Sequence, residues 1–135
     1  MFVADGSAVT GEAMTSRELL GRDILVVEDE TLIALELRAA LEAAGANVVV
    51  KTVRSAAQAI EQQGFSAAIL DLRPGASDHR PIARLLKRRG VPFMFYSTHL
   101  PEDVTTVRGA PVVLKPENPD GVVRAVVLLL RQEGR

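Results

Sequence analysis

The chain has 135 residues, of which 47% are hydrophobic and 24% charged, with a formal net charge of −1 and no cysteine. That balance describes one globular domain, and it excludes a disulfide framework, a thiolate metal site, a cysteine nucleophile and a global basic field that would draw the chain to nucleic acid or anionic membrane. No apolar run approaches the roughly 20 residues that span a bilayer, and no basic region precedes an apolar one at the N-terminus. The expectation is therefore a cytoplasmic protein with no membrane and no nucleic-acid partner.

Residues 1–21 are small, polar and glycine-rich. They read as a flexible arm before a folded unit over 22–135, with at most a helical turn at Ser16–Leu20. "DILVVEDE" from Asp23 is an apolar strand running into three acids. "TLIALELRAALEAAG" repeats apolar residues at Ile33, Leu37, Leu41 and Ala44 and stops at Gly45, a helix. "ANVVVKTV" is a second strand. "SAAQAIEQQG" is a second helix, with Ser55 as cap and Gly64 as stop. "SAAILDL" is a third strand ending in Asp71. "SDHRPIARLLKRRG" is a third helix, capped by Ser77 or Asp78, with Pro81 in its first turn. "VPFMFYS" is a fourth strand, "PEDVTTVRG" at most a short helix, and "PVVLK" a fifth strand. Asn118 caps a fifth helix that opens with Pro119.

Strands and helices alternate throughout. That order demands right-handed crossovers and a parallel sheet covered on both faces, an α/β doubly wound sandwich whose ligands bind at the carboxyl edge of the strands. On that rim fall Glu28, Asp29 and Glu30 after strand one, Asp71 on strand three, Ser97, Thr98 and His99 on strand four, and Lys115 on strand five. Two carboxylates ~4–5 Å apart repel by about 3–4 kcal/mol at an effective dielectric near 20. A hard divalent cation would relieve that repulsion, and oxygen donors without cysteine or a histidine cluster point to Mg²⁺ rather than zinc. Lys115 and Ser97 would meet phosphate oxygens opposite, which makes Asp71 a candidate nucleophile toward a phosphoryl group.

From about Asp23 to the end, the chain resembles a response-regulator receiver domain of two-component signalling. "LVVEDE", "ILDLR", "FYST" and "LKPE" carry the resemblance, in the family's order and on the family's strands. It implies a flavodoxin-like (βα)5 sandwich with a five-stranded parallel sheet in the order 2-1-3-4-5. It implies Asp71 as phosphoacceptor, Ser97 as switch hydroxyl and Lys115 as phosphate contact. The implied metal ligands are Glu28, Asp29, Asp71 and the backbone carbonyl of Arg73, holding Mg²⁺. The implied function is that of a single-domain response regulator, not an enzyme. It would be charged by a histidine kinase or phosphotransfer protein and act through protein contact or as a phosphate sink.

The stretch "VPFMFYSTH" is similar to an alphaproteobacterial single-domain subgroup whose strand four reads Pro-Phe-x-Phe-Ala-Thr-Gly-Tyr. Thr98 replaces the glycine there and would govern phosphate access, while Val112 stands where an aromatic switch residue is usual. Thr98 and the compressed loop "LRPGASDH" around Arg73 motivate one rival reading, a non-phosphorylated pseudo-receiver that only binds partners. A second rival is a small Mg²⁺-dependent phosphohydrolase, but it wants a second acid where Arg73 sits.

Two further features have competing readings. His79 reads as a cap or solvent-facing residue, and Arg84, Lys87, Arg88 and Arg89 as a solvated helix end. On the fifth helix, Val122, Val126, Leu129 and Leu130 make a core stripe that Val123 and Val127 widen. That width suggests a downstream-target or homodimer face on helix five and strand five. The plainer alternative is packing within the chain.

Overall fold

A computed structural model describes residues 18–72, 78–97, 112–114 and 118–133. Five strands and four helices alternate among them: β1 (Asp23–Val27), α1 (Thr31–Ala43), β2 (Asn47–Lys51), α2 (Val53–Gln62), β3 (Ala67–Leu72), α3 (Arg80–Arg88), β4 (Phe93–Ser97), β5 (Val112–Leu114) and α4 (Pro119–Glu133). Arg73, Thr98, His99, Lys115 and the short helix expected in "PEDVTTVRG" lie outside the described residues. The strands pair in the order β2-β1-β3-β4-β5, every pair parallel: the alternation predicts the parallel doubly wound sheet, and the family resemblance its flavodoxin-like order.

The apolar strands are continuous because both faces of the sheet are covered. Successive residues alternate between two clusters. Ile24, Val26, Ala67, Ile69, Met94 and Tyr96 join Leu37 and Leu41 of α1 and Val122, Val126 and Leu129 of α4. Leu25, Val27, Ala68, Leu70, Phe93 and Phe95 join Ala56, Ala59 and Ile60 of α2 and Ile82, Ala83, Leu85 and Leu86 of α3. The Phe93 and Phe95 rings meet edge to face, 5.8 Å between centroids at 84°.

The structure corrects several sequence expectations. The packed unit begins before residue 22. Glu18–Gly21 form a turn whose Leu19 is fully buried in the α1–α4 cluster, with its N–H on the Ala44 carbonyl at 2.8 Å. An apolar leucine with a paired backbone belongs to the core rather than to an arm. Gly45 allows this docking. At φ +101°, a Cβ there would come within 2.8 Å of the Leu20 Cα. Arg131 of α4 pairs with Glu18 at 2.9 Å across the same end.

The widened stripe of the last helix is also internal. Val123 and Val127 are buried in the α1–α4 cluster beside Val122 and Val126, because α4 packs on α1 as well as on the sheet. Two packing directions require a broad apolar arc, so that width carries no surplus for a partner face. Leu128 is the exposed leucine of α4, at 57%.

Of the two middle helices, α2 starts differently from the cap expected, at Val53 after Thr52 and not at Ser55. α3 begins at Arg80, and Asp78, one of its two expected caps, accepts from the Arg80 backbone N–H through Oδ1 at 2.9 Å. His79 holds the N-cap position without a side-chain cap bond, and it is buried at 7% exposure rather than turned to solvent.

Candidate functional site

The carboxyl edge of the sheet gathers the acids through strand register. Val27 pairs with Leu70, so the next residues, Glu28 and Asp71, lie side by side on strands about 4.8 Å apart. The Glu28 N–H donates to the Lys51 carbonyl at 3.0 Å, extending the β1–β2 ladder to that point. Glu28 shares the parity of Ile24 and Val26, and Asp71 that of Ala67 and Ile69, so both belong to the α1–α4 side. Each is 3% exposed. Buried carboxylates are costly unless paired or hydrogen-bonded, and two on adjacent strands add mutual repulsion.

The three acids after β1 divide their work. Glu28 Oε2 accepts from the Glu30 N–H at 3.2 Å, which folds the loop back on itself; its Oε1 is fully buried. Glu30 takes the N-cap position of α1, its carbonyl accepting from the Ala34 N–H at 3.0 Å. Asp29 is exposed and turned toward a different element. Its Oδ1 accepts from the Val53 N–H, the first residue of α2, at 3.2 Å.

Among the described residues, no three acidic or imidazole side chains converge as a ready-made metal-ligand group. The chemistry of the donors still fits a hard divalent cation. All are carboxylate oxygens, and the Glu28–Asp71 pair is buried where positive charge would offset its repulsion. Asp29 stands next to that pair in sequence with an oxygen engaged elsewhere.

Of the other expected site residues, Ser97 closes β4, its backbone in register with Leu72 and Leu114 on the strands either side. It therefore shares the carboxyl edge with Asp71. Arg73, Thr98 and Lys115 fall outside the described residues.

Sequence reasoning missed Tyr96. It pairs in register with Asp71, is buried, and packs in the cluster on the same side of the sheet. The signal was available, since it is the one tyrosine of the chain and directly precedes Ser97. Beyond the rim, Asp78 accepts from the Arg80 side chain at 2.9 and 3.1 Å. That contact, with the Arg80 backbone bond, holds its carboxyl down from 3.8 to about 2.

No family model matches the chain. The phyllosphere-induced regulator PhyR of Methylorubrum extorquens is 32% identical over 125 residues, 86% of this chain and 47% of PhyR. The crystal structure of the response regulator PhyR from Brucella abortus is 27% identical with a TM-score of 0.73, matching 93% of this chain and 54% of its own. A response regulator receiver protein from Sinorhizobium medicae superposes over 86% of this chain and 98% of its own, at 20% identity and a TM-score of 0.74. In sequence and in fold the chain is similar to response-regulator receiver domains. A PhyR mutant from Bartonella quintana, 24% identical with a TM-score of 0.72 over 90% of this chain and 53% of its own, is described as an anti-anti-sigma factor. The chain thus spans about half the length of the PhyR proteins it matches. No helix among its described residues is long and apolar enough to cross a membrane.

Proposed function

We propose that this receiver accepts a phosphoryl group on Asp71 from a histidine kinase or phosphotransfer protein in the cytoplasm. One observation carries the reading: a buried aspartate at the carboxyl edge of the central strand, beside a buried glutamate on the neighbouring strand. In the transfer, an Asp71 oxygen bonds to phosphorus as the donor's nitrogen–phosphorus bond breaks, and the imidazole leaves. Glu28, Asp29, Asp71 and the Arg73 carbonyl would hold Mg²⁺, which when bound neutralises charge on the phosphoryl oxygens. The Ser97 hydroxyl and Lys115 ammonium take the other phosphoryl oxygens, and Thr98 sets access to them.

The output is a protein contact, or the receiver serves as a phosphate sink. The description of one PhyR as an anti-anti-sigma factor supports a protein target over nucleic acid. So does a net charge of −1. The acceptor is a signalling group rather than a turnover catalyst.

The test is incubation with acetyl phosphate or beryllofluoride, with and without Mg²⁺, followed by intact-mass and NMR measurement. We expect a Mg²⁺-dependent adduct that Asp71→Asn abolishes. A folded wild type that gains no adduct identifies a pure interaction module instead, and multiple turnover on phosphoesters a hydrolase.

A further inference from the structure

We infer that Asp29 serves two places in alternation, the N-terminus of α2 and the acidic rim, so that a divalent cation on the rim releases the first turn of α2. The inference rests on the phosphoacceptor reading, because it takes the rim as the cation's site.

The bond itself is the starting point. The Val53 N–H is one of the helix-end donors that have no partner inside a helix, and Asp29 Oδ1 accepts it at 3.2 Å from 24 residues away in sequence. α2 supplies little of its own for this purpose. Thr52 occupies the N-cap position but makes no side-chain cap bond, and its hydroxyl meets Ser55 Oγ at 3.1 Å instead. The first turn of α2 contains no acid, so the negative charge that favours a helix N-terminus arrives from the β1–α1 loop.

Asp29 also adjoins Glu28 in sequence, and Glu28 adjoins Asp71 across the sheet. A cation shared by Glu28 and Asp71 attracts the Asp29 carboxylate. Turning that carboxylate to the rim withdraws Oδ1 from Val53. At Val53 the Asp29 carboxylate does not converge with Glu28 and Asp71, so a cation that draws it to the rim competes with the cap. Linkage then makes the competition reciprocal: whatever favours the cap weakens cation binding by the same factor, and the reverse.

Two observables test this in the intact chain. In the wild type, saturating Mg²⁺ should raise amide hydrogen exchange at Val53 about fivefold, the change that loss of one ordinary helix cap brings. Asp29→Asn keeps a cap acceptor without the charge, so its Val53 exchange should not respond to Mg²⁺. The second observable is cation affinity itself. Val53→Pro removes the competing N–H at a position where proline suits a helix start, and the extended Thr52 before it, at ψ 168°, accommodates the ring. Val53→Pro should therefore bind Mg²⁺ about fivefold more tightly in an NMR titration, with thermal melting confirming that the variant is folded.

If Mg²⁺ shifts Glu28 and Asp71 resonances while Val53 exchange stays constant, or if folded Val53→Pro binds no more tightly, the alternation is overturned and the phosphoacceptor reading stands. If Mg²⁺ shifts neither Glu28 nor Asp71, the rim is not the cation's site and both fail.

Discussion

The two faces of the sheet are filled differently. On the α1–α4 face, Leu37, Leu41, Val122, Val126 and Leu129 of the helices meet aliphatic strand residues such as Ile24, Val26 and Ile69. On the α2–α3 face, Ile60, Ile82, Leu85 and Leu86 still bring helix bulk, but β4 adds the rings of Phe93 and Phe95, and α2 also buries the small Ala56 and Ala59. Valines and leucines hold α1 and α4 against each other as well as against the sheet. An apolar helix surface therefore reports how many neighbours a helix packs on, not whether a partner is missing.

The sharpest way to break that comparison lies on α4, where adjacent residues face opposite environments. Val127→Glu places an unpaired charge between α1 and α4 and should cost about 4 kcal/mol. Leu128→Glu, at 57% exposure, should stay within about 0.5 kcal/mol. Urea melts of the two variants check this, and equal losses would mean that Val127 is not in the core.

Next in size is a pair of opposite volume changes. Leu41→Ala removes bulk from the α1–α4 face and should cost about 3 kcal/mol through the cavity it leaves. Ala56→Leu adds bulk at a fully buried position of α2 and should cost about 2 kcal/mol. If Ala56→Leu were neutral in the same melts, tight packing would not explain the alanines of α2.

The smallest effect belongs to the surface. Asp78 has a folded carboxyl value lowered below its unfolded one, so its contribution to stability is present above pH 4, roughly, and lost as pH falls toward about 2. NMR titration of Asp78 should give a midpoint near 2, and Arg80→Ala should return it toward 3.8. The Asp78 side chain is exposed, so the signature to measure is this titration rather than a melting temperature.

The sheet was legible in the sequence because burial on both faces leaves uninterrupted apolar runs such as "ILVV" and "AAIL", and because Gly45, Gly64 and Gly90 mark the helix ends. The rim could be read from the same runs, since each ends in its polar residue where the strand reaches solvent or a neighbour. What could not be read was set by tertiary contact. Asp29 caps a helix two elements away, Leu19 enters a core from a stretch that looks like a polar arm, and His79 is buried despite its polar flanks. Local pattern carries none of these: burial is a tertiary property, and the partners of Asp29 and Leu19 come from distant parts of the chain. Tyr96 belongs to a different kind of omission: its position was readable, but its alignment with Asp71 required the register of β3 and β4.

The Glu18–Arg131 pair has one more implication. These residues are 113 apart in sequence and 2.9 Å apart in space, at the amino edge of the strands and away from the acids. A short linker could therefore join the two ends of the packed unit into a ring without crossing the rim. A circular permutant reopened at Gly64, an exposed position where an added Cβ would meet nothing within 4 Å, would keep every strand pairing while moving both termini to the α2–β3 connection.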